Sequence, residues 1–358
     1  MTRPVDDRVR TAVRDLASEA GTPHGLAARA LAQGRRRLRV RRTVLSTAAA
    51  VLVTVAAAVP YALSRHDTPP VVTTPLLPSV AASELGTPTW STTSTYQLPG
   101  GAHLAGIGAY RDRHTTVRQF VVNPDSSGYR TLYKNVVESN PSPTGRYVLT
   151  ALQGDEKLAL LDVRTGHYRR LDIDVATAAV WSSDGSRLLM TRESGFSILD
   201  PATGTLVEHE VEHGETTCAG YCLYTWLPGE TQVALPQSET ANSEPSRVTG
   251  LAIFDAATGE LLRNDPIKAA PIGRGSWSAD GRFVLATTAE GSALVSVVDV
   301  ATGTVVAAFP AETAVFLRDG TILASTGDRI LHYSTDHRVT ETLTLPKALS
   351  GRDLTFAE

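Results

Sequence analysis

From about residue 100 onward the chain alternates between apolar and polar positions. Segments such as Phe196-Ser197-Ile198-Leu199 and Val295-Ser296-Val297-Val298 carry the short period of a strand with one face turned to a core. They are bounded by Gly, Asp, Thr and Pro, so the pattern predicts units of three or four short antiparallel strands joined by tight turns. One stretch breaks this pattern. Residues 43–63, TVLSTAAAVLVTVAAAVPYAL, are apolar almost throughout, and no charge falls between Arg42 and Arg65. As a helix rising about 1.5 Å per residue, these 21 residues match a hydrocarbon layer of about 30 Å. They are expected to form one transmembrane helix, with Pro60 tolerated in its last turn.

The strand-like region repeats itself. Pro141-Ser142-Pro143-Thr144-Gly145-Arg146 returns as Trp181-Ser182-Ser183-Asp184-Gly185-Ser186, and again as Trp277-Ser278-Ala279-Asp280-Gly281-Arg282. Weaker copies begin at Trp226-Leu227-Pro228-Gly229 and Phe316-Leu317-Arg318-Asp319-Gly320. About 20 residues after most of these comes a second signature, at Asp162–Gly166, Asp200–Gly204, Asp255–Gly259 and Asp299–Gly303. Asp-Gly and Thr-Gly pairs tolerate the positive φ that hairpin turns demand. The first-signature glycines stand at 145, 185, 229, 281 and 320, a period of roughly 40 residues, which is the length of one propeller blade.

On these motifs the chain resembles the TolB-like and WD-repeat-like propellers, in which a Trp-Ser-Pro-Asp-Gly turn precedes one strand and an Asp-x-x-Thr-Gly turn precedes the outer one. The resemblance spans about 101–358 and implies an all-β fold; it implies little about activity. Five blades follow from the five glycines. A sixth is expected from 103–110, 117–123 and 129–134, a unit that lacks an innermost strand. The terminal segment 353–357 is expected to supply that strand and close the ring, hiding edges that would otherwise pair with other chains. Seven blades is the alternative, if 89–98 builds part of another.

Charge divides the chain. Residues 1–42 hold eleven arginines against Asp6, Asp7, Asp15 and Glu19, a surplus of seven positive charges. With the whole at −3, the remainder carries about ten net negative charges. Arg35, Arg36, Arg37, Arg39, Arg41 and Arg42 crowd the start of the apolar stretch, and only Arg65 follows closely. The positive-inside rule then places 1–42 in the cytoplasm and everything after 63 outside, with the arginines against anionic lipid. The alternative is a cleaved signal peptide. Arg41-Arg42-Thr43 faintly resembles a twin-arginine signal, but the leading region of about 40 residues and the full-length apolar core favour an anchor. Residues 64–88, rich in Pro and Thr, are expected to be an extended linker. Few lysines, many arginines and abundant alanine match a high-GC bacterial coding sequence.

Within 1–42, Val9, Ala12, Val13, Leu16 and Ala20 fall at helical spacing, and Thr22-Pro23 offers the start of a second helix. A solvated, membrane-hugging anchor accounts for this segment, and a docking helix for a cytoplasmic partner is the sharper alternative. A short inner segment, one span and an outer domain together resemble membrane-bound anti-sigma regulators. The zinc-binding His/Cys motif of one large class is missing, since no cysteine precedes Cys218.

Candidate chemistry is sparse. Trp181, Trp226 and Trp277 could form an aromatic platform, but their equivalent repeat positions point to packing between blades. Asp184, Asp280 and Asp319 precede turn glycines, an ordinary place for aspartate. Cys218 and Cys222 are expected to form a disulfide in an oxidising compartment. His209 and His213 invite a zinc site with them, yet on one strand the two histidines stand roughly 13 Å apart. No cofactor is expected. The Gly-x-Ser-x-Gly, phosphate-loop and His-Glu-x-x-His motifs are absent. The acidic outer part argues against nucleic acid. The interval from Gly229 to Gly281 is 52 residues, and polar 237–247 is expected to project as a loop able to recognise a partner. Binding or scaffolding of a protein, peptide or envelope ligand is therefore the expected role. A propeller lyase or hydrolase with a site at the channel mouth is the alternative.

Overall fold

Inner strands such as Leu188–Arg192 and Leu294–Asp299 are buried on both faces while outer ones such as Leu261–Asp265 are exposed, so each repeat is a small sheet whose two faces are covered by stacking around an axis. The computed structural model describes residues 83–358 except 111–117, 133–135, 153–157, 172, 174–178, 193, 212–222, 239–247 and 288–293. Residues 1–82, with the arginine cluster and the apolar stretch 43–63, lie outside the described residues. So do Cys218 and Cys222. Among the described residues no helix is long and apolar enough to cross a membrane.

A short strand β1 (Ser83–Glu84) comes first, then a 3-10 turn at Pro99–Gly101, followed by β2 (His103–Tyr110), β3 (Phe120–Val122) and β4 (Tyr129–Thr131). The second blade is β5 (Val136–Pro141), β6 (Tyr147–Leu152), β7 (Leu158–Asp162) and β8 (Tyr168–Arg170). The third is β9 (Ala179–Trp181), β10 (Leu188–Arg192), β11 (Gly195–Leu199) and β12 (Leu206–Glu210). The fourth is β13 (Thr225–Trp226), β14 (Gln232–Ser238), β15 (Val248–Asp255) and β16 (Leu261–Asp265). The fifth is β17 (Ala270–Pro271), β18 (Phe283–Thr287), β19 (Leu294–Asp299) and β20 (Val305–Pro310). The sixth is β21 (Thr313–Phe316), β22 (Ile322–Thr326), β23 (Arg329–Tyr333) and β24 (Val339–Thr344), and β25 (Arg352–Ala357) ends the chain. Six sheets result, so the fold is an all-β, six-bladed propeller.

The first blade has the order β25-β2-β3-β4, so the last strand of the chain is its innermost one. Arg352, buried in that strand, donates from Nε and Nη2 to the Gly108 carbonyl at 2.8 and 2.6 Å and from Nη2 to the Arg118 carbonyl. Among the described residues no seventh blade forms. Residues 89–98 instead lie against the first blade, with Trp90 against Tyr96, Phe120 and Tyr129, and the Tyr129 hydroxyl donating to the Leu104 carbonyl. Nor is all of 64–88 a free linker. β1 pairs in parallel with β24, and Leu85 N and Gly86 O bond to Thr342 and Thr344. Ser83–Gly86 thus caps the outer edge of the sixth blade, and the composition of this segment gave no sign of it.

The hydrophobic core is divided among the six blade interfaces, one cluster to each. The repeated tryptophans stitch these interfaces. Trp181 Nε1 donates to the Asn140 carbonyl (2.9 Å), Trp226 Nε1 to Val180 (3.1 Å) and Trp277 Nε1 to Thr225 Oγ1 (3.3 Å). In each case the acceptor is on the innermost strand of the preceding blade. Each indole buries its rings and satisfies its single donor at once.

Candidate functional site

In a four-stranded blade the strands alternate in direction, so the first- and second-signature turns fall on one face of the wheel. The connections at 153–157, 212–222, 239–247 and 288–293 join strand ends on the other. The first-signature face surrounds the axis, and there Pro143, Ser183, Trp226, Arg274, Phe316 and Glu358, one residue from each of the blades in turn, line a cavity of about 290 Å³. This lies near the lower end of small-ligand pockets.

The turns that rim the cavity are rigid for local reasons. Gly145, Gly185, Gly281 and Gly320 take φ of 66°, 70°, 71° and 83°, the left-handed region that favours glycine. Asp184 accepts from the Ser182 hydroxyl and the Ser186 amide, Asp280 from the Ser278 hydroxyl and the Arg282 amide, and Asp319 from the Thr321 amide and hydroxyl. These carboxylates hold their own loops. The fourth blade departs from the pattern. Gly229 lies in its turn (φ 77°), but the position whose amide closes the turn, as Gly185 N does to Ser182 O, is Glu230, whose N donates to Leu227 O. Glu230 therefore adopts φ 54° where the other turns use glycine, a strained choice for a side chain. Its carboxylate reaches into the third blade, accepting from the Ser183 amide and from Arg187 Nη2 at 3.1 Å. The Arg187 guanidinium lies 4.7 Å from the centre of the Trp226 ring.

The feature least visible in the sequence is in the fifth blade. Along its innermost strand Ala270 faces Thr287, Pro271 faces Ala286, and Ile272 N bonds to Leu285 O; Trp277 then faces Val284. Leu285 also donates from N to the Ser276 carbonyl at 2.6 Å, so the three residues between Ile272 and Ser276, Gly273 to Gly275, loop out of the strand. Gly273 and Gly275 have φ of 129° and 66°, and the Gly275 carbonyl accepts from Phe316 N of the sixth blade at 2.7 Å. The bulge carries Arg274 into the channel.

Arg274 lines the cavity, its Nη1 is sealed from solvent, and that nitrogen has no hydrogen-bond partner. The residue as a whole is half-buried, because the surface it keeps faces the cavity. Burial pulls its pKa down to about 10, against an upward pull from Glu358, so it remains charged at neutral pH. His103 is near enough that burial first, and the Arg274 charge second, lower its pKa. The Glu358 carboxylate is engaged elsewhere, accepting from Arg318 N at 2.9 and 3.1 Å and facing Arg318 Nε at 3.7 Å. Glu230 is paired with Arg187. Among the described residues Arg274 has no ion-pair partner, although the Glu358 charge acts on it.

Outside the cavity, His209 lies buried on β12 against Phe196, with ring centres 4.8 Å apart and Nε2 unpartnered. His213, Cys218 and Cys222 lie outside the described residues. Among the described residues no group of three or more His, Cys, Asp or Glu could hold a metal ion. Of the polar segment 237–247, Gln237 and Ser238 belong to β14 and 239–247 lies outside the described residues. Its flanking strand ends are on the face opposite the cavity.

No protein-family model and no curated protein sequence matches the chain. Among solved structures, a hydrazine synthase of Kuenenia stuttgartiensis is 16% identical with a TM-score of 0.38, over 56% of this chain and 64% of that one. The match therefore spans less than two thirds of that chain. A chain of a mitotic checkpoint complex is 14% identical with a TM-score of 0.42, over 86% of this chain and 98% of that one.

Proposed function

We propose that the protein is a membrane-anchored binding or scaffold protein, with 1–42 in the cytoplasm, 43–63 spanning the bilayer once, and the propeller outside, where the channel mouth receives its ligand or partner. The cavity at the first-signature face, to which all six blades contribute, carries this reading. Its rim is held by backbone turns and interblade bonds, so it is preorganised, and preorganisation lowers the entropic cost of binding. Binding is favoured over catalysis because Glu230 and Glu358, the carboxylates of the cavity, are already committed to Arg187 and to Arg318. The anchor is supported by the length of 43–63 and by the arginines before it. The TolB-like and WD-repeat-like character of the turn motifs agrees with a binding role.

The test uses the full-length chain as bait for solubilised envelope components. Ala279 is exposed and lines the mouth, so Ala279→Trp should block retention while leaving the melting temperature unchanged. Retention unaffected by that substitution would place binding elsewhere. The topology is checked by adding protease to intact cells. Digestion of 85–358 with 1–42 protected is expected, and the reverse would refute the orientation.

A further inference from the structure

We propose that Arg274 is a ligand-binding residue and that the channel mouth takes a molecule or chain end bearing a single carboxylate on an apolar body. This rests on the binding role above and names the ligand class for that same cavity. The first ground is geometry. The bulge Gly273-Arg274-Gly275, with positive φ at both glycines, interrupts the innermost strand of the fifth blade, and its effect is to deliver one guanidinium to the cavity. Among the described residues the guanidinium has no ion pair and its Nη1 has no hydrogen-bond partner, while the surface it keeps faces the cavity. A partly desolvated charge without an ion pair is costly, and an anion entering the cavity would offset that cost.

The second ground is charge. Of the charged residues that line the cavity, Glu230 is paired with Arg187 behind the wall and Glu358 with Arg318. Arg274 is the lining cation without an ion pair, and a single guanidinium fits a monoanion better than a polyphosphate. The planar fork of a guanidinium also matches a carboxylate in a bidentate bond. The third ground is the wall. Trp181, Trp226, Trp277, Phe316 and Phe356 line the same cavity as Arg274. An apolar body would bury against those rings, whereas inorganic phosphate would lose its hydration there for one charged partner.

The purified full-length chain can be titrated with 3-phenylpropionate, its amide and inorganic phosphate, following tryptophan fluorescence, since three of the four tryptophans line the cavity. A tripeptide ending in phenylalanine, with a free or an amidated terminus, distinguishes a chain end from a small acid as the source of the carboxylate. In the wild type at least one free carboxylate should bind tenfold or more tightly than its amide, and phosphate at least tenfold more weakly than that carboxylate. Arg274→Gln should abolish the preference and leave the melting temperature the same or higher, because it removes a partly desolvated charge that has no ion pair. Equal binding of acid and amide, a preference that survives Arg274→Gln, tighter binding of phosphate, or no binding of any probe would each overturn the assignment. A melting temperature lowered by several degrees would assign the arginine to the fold instead. Envelope components retained by a chain that shows no carboxylate preference would remove this ligand class and leave the binding role standing.

Discussion

Asp200, Asp255, Asp280 and Asp299 each turn a carboxylate back onto a loop, and the bonds they accept hold their pKa below the ordinary value of 3.8. For Asp280 the cause is the Ser278 hydroxyl and then the Arg282 amide; for Asp299 it is the Thr302 hydroxyl and then its amide. For Asp200 and Asp255 the backbone amides of Thr203 and Thr258 lead. A carboxyl whose folded pKa lies below its unfolded one contributes its full stability above the unfolded value and loses it as pH falls through the folded one. The stability difference between wild type and Asp280→Asn should therefore be constant above about pH 5 and shrink progressively below 3.8 in urea titrations. A difference independent of pH would contradict the turn bonds. Gly275 offers a second check at this scale. A Cβ there would lie 3.0 Å from Val315 Cβ, at φ 66°. Gly275→Ala should cost about 1–3 kcal/mol in chemical denaturation and weaken ligand binding by displacing Arg274.

The closing strand is the element on which the ring depends. β25 comes from the far end of the sequence, and Arg352 ties it to carbonyls of the first blade on both sides of 111–117. Arg352→Leu leaves those buried carbonyls short of a charged donor and should destabilise by about 2–3 kcal/mol in urea unfolding, with partial recovery in Arg352→Lys. No loss in the leucine variant would mean that β25 closes the blade by backbone pairing alone. Much of this architecture was legible in the sequence because it is repetitive. Trp-Ser-x-Asp-Gly and Asp-x-x-Thr-Gly recur at turns whose geometry demands them, and the unpaired strand at 353–357 needed a partner. The parts that were not legible are singular. Ser83–Gly86 pairs through its backbone and carries no side-chain signature of doing so. Gly229 looked like the turn glycine of the fourth blade, but Glu230 takes that position because its carboxylate finds Ser183 and Arg187 next door. Gly273-Arg274-Gly275 was the available signal for the bulge. An arginine between glycines marks a break in a strand, but its direction is set by Phe316 and Val315, some 40 residues on.

At the scale of the whole molecule, the wheel has two unlike faces. On one, turns locked by aspartate and glycine surround a cavity lined by an arginine without an ion pair; on the other lie the strand ends that flank 153–157, 212–222, 239–247 and 288–293. The proposed binding role belongs to the first face, whose wall is held by these turns. The most direct measurement is site-specific photo-crosslinking in membranes. The probe is placed at Ala279 on the cavity rim or at Val306, exposed on the outer strand β20. Binding at the channel mouth should give adducts from position 279 that are competed by 3-phenylpropionate, with none from 306. Adducts from 306 alone, or from both positions without competition, would contradict it.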